Sequence, residues 1–388
     1  MSQNATKAMI AEVFNDIANG IKSGQFRKRV RIGLTILGSE HGIEEMVKAA
    51  ELAKSKYGDF DIVLIGPKVD AYFEIIEAET AEEGHSKMTE MLENGKLDGC
   101  VTQHFDFPIG VSTVGKVLTP SKGKEMIIAT TTGTTSTNRV EGMVKNAISG
   151  IAVAKSNGIK NPKVGILNLD GARQVERILN EVKEAGYNFE FTGSLRADGG
   201  AVMRGNDLLA GTPDIMVCDS LTGNLLVKIF SSFTTGGNYE TVGAGYGPGI
   251  GEDYDKLVNI VSRASGAPLI AEALRYCATC AENKVLDRAR EEFKKANKVG
   301  LQQFIDKTAK KVAKVESSDE DIKMPEKKVV TFSIAGIDIL ELENACKALW
   351  KENIYSESGM GCTGPIVLVA EEDSEKATEI LKKAEYLG

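Results

Sequence analysis

Residues 30–53 read VRIGLTILGSEHGIEEMVKAAELA. Val30 to Leu37 is a β-branched, apolar run with no alternation, the pattern of a strand covered on both faces. Gly38 to Gly42 breaks it. Ile43, Met46, Val47 and Ala50 then follow the i, i+3, i+4, i+7 spacing of one helix face. The same succession returns along the chain. Asp61 to Ile65, Leu97 to Thr102, Glu125 to Ala129, Lys163 to Leu169 and Asp214 to Asp219 read as buried strands. Val175, Ile178, Leu179 and Val182 mark a helix that stops at Gly186. Strand and helix in alternation predict an α/β fold with a largely parallel sheet flanked by helices, where ligands collect at the carboxyl ends of strands.

The 388 residues are 42% apolar and 26% charged, the composition of a folded globular chain. Lys and Arg total 47 against 55 Asp and Glu, a net charge of −8 without a basic surplus, so nucleic acid is not an expected partner. The longest apolar runs, such as Ile62 to Ile65 and Ile366 to Ala370, fall far short of the ~20 residues of a membrane span. Six cysteines are too sparse for a disulfide framework, and no signal-peptide core precedes residue 28, so a cytoplasmic protein is expected. Residues 1–28 are read as an amphipathic N-terminal helix and 29–315 as the α/β body. The polar stretch 316–328 (ESSDEDIKMPEKK) is read as a linker. Residues 329–388 form a small βαβα unit, with Ser356 to Pro365 as a glycine-rich loop.

That loop, Gly359-Met-Gly-Cys-Thr-Gly-Pro365, places Cys362 among the backbone N–H groups of Gly361, Thr363 and Gly364. Such donors stabilise a thiolate and the oxyanion of a thioester intermediate; the same residues also suit a plain tight turn. Cys100 and His104 are four apart on a probable strand and meet only if the chain bends; otherwise Cys100 is a core residue. Cys277-x-x-Cys280 reads as helical, without a bridge. Three histidines make a zinc site improbable. Two segments suit an anion. Thr130 to Asn138 (TTTGTTSTN), with Thr134 and Asn138, follows a strand and opens a helix, and Asp219 to Lys228, with Asn224 and Lys228, does the same. Gly243 to Gly251 fails the G-x-G-x-x-G spacing in every frame, which disfavours a nicotinamide cofactor.

Several of these segments carry a resemblance. Val30 to Ala53, with Gly38, His41 and Gly42, resembles the opening strand and helix of the phosphate acyltransferases of phospholipid synthesis. Asn161 to Asn168 resembles their central strand, Asp214 to Lys228 their D-G-F-x-G-N segment, and Gly266 to Ile270 their G-A-P-L-L stretch. Thr35, Ser39, Glu40 and Ser220 depart from that pattern, and the C-terminal unit is foreign to it. Over its full length the chain is similar to the component C alpha subunits of glycine/sarcosine/betaine reductase complexes. The resemblance implies a phosphotransacetylase-like fold and acetyl phosphate release by phosphorolysis of an enzyme-bound acetyl thioester, with Cys362 as the matching thiol. It implies no metal and no cofactor, inorganic phosphate as substrate, and assembly into an oligomer. The partners it implies are a component C beta subunit and the selenoprotein component A as carboxymethyl donor. A free-standing phosphate acyltransferase, or a docking subunit without chemistry of its own, is the alternative.

Overall fold

Strand β1 (Arg31–Thr35) is buried on both faces from Ile32 onward, as its unbroken apolar sequence requires. After it come α1 (Ile43–Lys56), β2 (Asp61–Gly66), β3 (Glu74–Glu77), α2 (Ala81–Glu93), β4 (Gly99–Thr102), β5 (Val111–Leu118), β6 (Glu125–Thr134), α3 (Arg139–Ser156), β7 (Lys163–Leu167) and α4 (Ala172–Glu184). The body continues with β8 (Glu190–Phe191), β9 (Val202–Met203), α5 (Gly205–Ala210), β10 (Ile215–Val217), α6 (Ser220–Ser232), β11 (Gly247–Ile250), β12 (Val258–Ile260), α7 (Ala267–Glu282), α8 (Val285–Lys298) and α9 (Leu301–Ser317). The computed structural model describes residues 29–195, 200–317, 322–361 and 364–387, together with residues 14, 17, 18, 20 and 21, which are helical. Most of the expected N-terminal helix therefore lies outside the described residues, as does part of the linker. No helix among the described residues is long and apolar enough to cross a membrane.

The body forms one sheet in the order β3-β2-β1-β4-β12-β11-β5-β6-β10-β7-β8, with β9 beside β7. It consists of two parallel blocks. β3, β2, β1, β4 and β12 run together, and so do β6, β10, β7, β8 and β9. Between the blocks, β11 pairs antiparallel with β12 and with β5, and β5 pairs antiparallel with β6. Three antiparallel pairings in succession turn the second block against the first. The carboxyl ends of the two blocks therefore point opposite ways, and a segment crossing from one to the other is needed to bring their residues together. Helix α6 is that segment. It starts at Asp219, after β10 of the second block, and reaches Ser262, after β12 of the first.

The C-terminal unit has its own core of Ile334, Ala345, Leu349, Val367, Val369, Ala377 and Leu381. Its elements are β13 (Phe332–Ala335), α10 (Leu342–Lys351), β14 (Ser356–Gly361), β15 (Gly364–Val369) and α11 (Ser374–Lys383). The stretch expected as a glycine-rich loop is a strand, so the unit is β-α-β-β-α rather than βαβα. Ser356 is buried while Glu357 to Gly361 lie half-buried or exposed, and β14 is an edge strand of the antiparallel order β13-β15-β14, a place where glycines are tolerated. Gly361 pairs with Gly364 at the end of this hairpin. Cys362 and Thr363 lie outside the described residues.

The unit docks on α4. The buried carboxylate of Asp338 accepts from the N–H groups of Gly171 (3.4 Å) and Arg173 (3.3 Å), which are orphan donors at the start of that helix, and from Leu340 N–H (3.0 Å) in its own chain turn. Arg177 grips Glu341 with NH2 2.7 and 2.9 Å from the two carboxylate oxygens, and donates to the Glu385 carbonyl. The anchor therefore sits at the carboxyl end of β7. Side-chain hydrogen bonds of β14 run within the unit: Trp350 Nε1 donates to the Ser356 carbonyl, Tyr355 to Glu357, and the Ser356 hydroxyl to the Cys346 carbonyl. Replacing Asp338 with Ala is expected to cost about 1–2 kcal/mol of docking, as loss of a helix cap does. Hydrogen exchange should then speed up across 332–387 while the body keeps its protection; unchanged exchange in the unit would remove Asp338 from the docking account.

Candidate functional site

The site is built from the start of α6. Asp219 accepts from Thr222 N–H (2.9 Å), Thr222 hydroxyl (3.0 Å) and Arg139 NH2 (2.7 Å). Burial alone would raise its carboxyl, but these three donors prevail and hold it below the usual carboxylate range. One turn on, a Cβ at Gly223 would stand 1.7 Å from the carbonyl oxygen of Thr130. No side chain fits there, so α6 lies directly on β6. This contact brings Asn224 and Lys228, four residues apart on one helix face, over the ends of β4 and β12.

Lys228 Nζ stands 3.0 Å from Ser262 Oγ and 3.0 Å from Oε1 of Glu240, a carboxylate with no exposure to solvent. Glu240 also accepts from the Ser265 hydroxyl at 2.9 Å. Around this ammonium is a cavity of about 250 Å³ whose wall includes Gln103, His104, Thr132, Asn224, Lys228 and Ser262. Pockets for drug-sized ligands run to roughly 300–1,000 Å³. The space therefore suits a small anion and a short acyl group better than a dinucleotide or a long chain.

The histidines gather at the same strand ends. The His104 side chain is exposed and lies 3.2 Å from Asp106, and its ring centroid is 6.4 Å from that of His85. His85 Nε2 is 3.2 Å from Thr102 Oγ1, which accepts from Thr35 at 2.8 Å. Burial, then the neighbouring His104, holds His85 below the ordinary imidazole value. His41 Nε2 is 3.1 Å from the Ala264 carbonyl oxygen, and its ring meets Tyr239 edge-on at 4.9 Å. Tyr239 in turn donates to Glu45, which accepts Ala267 N–H at 2.8 Å. A Cβ on Gly266 would fall 2.2 Å from Tyr239. The Gly38 to Gly42 and Gly266 to Ile270 segments thus brace each other and hold Ser262 at the cavity wall.

Of the residues singled out from the sequence, His104, Asn224 and Lys228 line this one cavity. Thr134 is exposed at the end of β6, paired with Val111, and Asn138 caps α3 by accepting Glu141 N–H at 2.9 Å. Neither lines the Lys228 cavity, although Thr132, two residues before Thr134 on β6, does. Cys100 does not bend round to His104. It is fully buried on β4, its sulfur 3.6 Å from the Val101 carbonyl oxygen, and burial pushes the thiol up. Cys218, Cys277, Cys280 and Cys346 are buried as well, and desolvation raises each thiol, that of Cys280 to about 12. Gly361 and Gly364 face each other at the hairpin end, whereas Cys362 and Thr363 are outside the described residues. Sequence reasoning missed His85, Gln103, Glu240 and Ser262, whereas Thr132 belongs to the Thr130 to Asn138 stretch singled out for an anion. A lone His on a helix and a lone Glu after a glycine pair carry no local signal; only the chain crossing joins them.

Replacing Gly223 with Ala must push α6 off β6, at a cost of about 3 kcal/mol or more for a clash with rigid backbone. A lowered Tm together with loss of any phosphate-induced stabilisation is expected. Retention of both would mean that Asn224 and Lys228 do not depend on this contact.

The branched-chain phosphotransacylase from Enterococcus faecalis V583 superimposes on 64% of this chain and 98% of its own, at 14% identity and a TM-score of 0.45. The phosphate acyltransferase of Thermotoga petrophila is 31% identical over 237 residues, 52% of this chain and 67% of that protein. The glycine/sarcosine/betaine reductase complex component C subunit alpha of Peptoclostridium acidaminophilum is 57% identical over 378 residues, 97% of this chain and 98% of that protein. Residues 30–368 match the sequence model of the family described as fatty acid synthesis protein. The chain belongs to the fatty acid synthesis protein family, within which it stands with the component C alpha subunits and is related to the phosphate acyltransferases.

Proposed function

We propose that the chain transfers an acyl group to phosphate as a subunit of a reductase complex of the component C kind, releasing acetyl phosphate from an enzyme-bound acetyl thioester. The observation that carries this reading is the cavity in which Asn224 and Lys228 of α6 and His104, which follows β4, surround a space of about 250 Å³. Phosphate oxygen attacks the thioester carbonyl carbon; a C–O bond forms, the C–S bond breaks, and the thiolate leaves. Lys228 and Asn224 hold the phosphate, and His104 takes the role of handing a proton to the leaving sulfur. The substrate is inorganic phosphate, and the step uses no other cofactor. The thiol is Cys362. Support for it comes from the five other cysteines, all buried, with burial pushing each thiol up. Partners of this reading are a component C beta subunit and a selenoprotein that donates the carboxymethyl group.

A second reading has the thioester arrive on a partner subunit. It is favoured by the docking of the C-terminal unit on α4 through Asp338 and Glu341, at the carboxyl end of β7.

Acetyl phosphate formation by the purified chain, with and without partner subunits, tests both. Lys228→Ala should raise the phosphate KM at least about tenfold, the loss of one charge-assisted contact. Cys362→Ser should abolish turnover and remove the acetyl label, with the fold intact. An unchanged phosphate KM in Lys228→Ala would take the phosphate out of this cavity. Full activity of Cys362→Ser in the presence of partners would assign the thiol to them.

A further inference from the structure

The lining of the Lys228 cavity is of two kinds. Gln103, His104, Asn224, Lys228 and Ser262 offer polar groups, whereas Phe105, Tyr246 and Ile260 offer apolar surface. Tyr246 and Ile260 are only 4% and 8% exposed, and they belong to the buried cluster of Val117, Val227 and Phe230 against which Phe105 packs. At these side chains the core itself reaches the cavity.

This apolar patch is held rigidly. The Tyr246 N–H donates to the Ile260 carbonyl at 2.9 Å, and the Thr131 hydroxyl donates to the Tyr246 carbonyl at 2.7 Å. Gly247 pairs with Ile260 across the ladder between β11 and β12, and a Cβ on Gly247 would fall 1.9 Å from the carbonyl oxygen of Val114. Strand β11 therefore lies against the backbone of β5 and has no room to withdraw. Ile260 is β-branched and restricted at χ1, and the interior behind it is close-packed. Phe105, on irregular chain after β4, has no such ladder to hold it.

The size of the cavity then becomes decisive. A space of about 250 Å³ holds about eight waters at ~30 Å³ each. Phosphate carrying an acetyl group has about as many non-hydrogen atoms. With the phosphate at Lys228 and Asn224, the acyl methyl is left for the apolar patch, and a longer chain meets a wall that does not yield. We propose that Tyr246 and Ile260 set the length of the acyl group the cavity accepts, seating a methyl and turning away each further methylene. This inference rests on the phosphate reading above and adds to it the side chains that restrict the substrate.

Calorimetric titration of the full chain with inorganic phosphate and with acetyl, propionyl and butyryl phosphate tests it. The chain carries Cys362→Ser throughout, so that no acyl group moves to that thiol during the titration. This parent should bind acetyl phosphate at least about tenfold more tightly than propionyl phosphate, the discrimination one surplus methylene brings in an apolar pocket. Ile260→Val, smaller by a methylene, should bring propionyl phosphate to within about threefold of acetyl phosphate, and Ile260→Ala should do the same for butyryl phosphate. Ile260→Val also covers the case in which the larger truncation disturbs the fold, which circular dichroism reports. Equal binding of the three acyl phosphates by the parent, or a propionyl-to-acetyl ratio that stays as it was in the folded Ile260 variants, would overturn the proposal while phosphate binding stands. Failure of the parent to bind either inorganic phosphate or acetyl phosphate would instead overturn the phosphate reading, and the proposal with it.

Discussion

The arrangement hangs on the absence of a side chain at Gly223, which lets α6 lie against the backbone of β6 at Thr130. The sheet is two parallel blocks facing opposite ways, and the useful ends of the two do not meet by themselves. A helix that starts on one block and finishes on the other joins them only if it lies flat on the intervening strand. Once it does, the rest follows in order. Asp219 fixes its first turn, Asn224 and Lys228 face the β4 and β12 ends, and Glu240, buried beneath Lys228, holds the ammonium in place.

The charge balance at this wall also has a physical logic. A fully buried carboxylate is costly unless it is paired and hydrogen-bonded. Glu240 meets both conditions through Lys228 and Ser265. Lys228 is therefore held in one rotamer before any ligand arrives, which removes part of the ordering cost of binding. An anion bound as proposed would share an ammonium already in position. Ser262, 3.0 Å from the same nitrogen, ties that position to the segment braced by His41, Tyr239 and Gly266.

Much of this was legible in the sequence because periodicity and burial are local. The unbroken apolar runs around Ile32, Ile62 and Val164 mark strands covered on both faces, and the i, i+3, i+4 face of α4 marks its helix. The D-S-L-T-G-N run marked the strand end and helix start that carry Asn224 and Lys228, and both line the cavity. The reversal between the blocks was not legible, since parallel and antiparallel neighbours in a buried sheet carry the same apolar pattern. Thr134 and Asn138, which look as suitable as Asn224, do not line the cavity, although Thr132 of the same stretch does. Cys100 misled for a related reason: four residues along an extended strand span too great a distance, and a small sulfur packs as well as it reacts. The hairpin of β14 hid behind its glycines, which read as a loop although their neighbours alternate.

The central claim is that a phosphate-sized dianion binds between Lys228, Asn224 and His104. A crystal structure of the full chain with arsenate, a heavy and locatable analogue of phosphate, tests it most directly. The account predicts the anion within hydrogen-bond distance of Lys228 Nζ and the Asn224 amide, in the cavity bounded by Ser262 and Thr132. Arsenate held instead beside Thr134 and Asn138 or at the start of α4, with the Lys228 cavity empty, would contradict it.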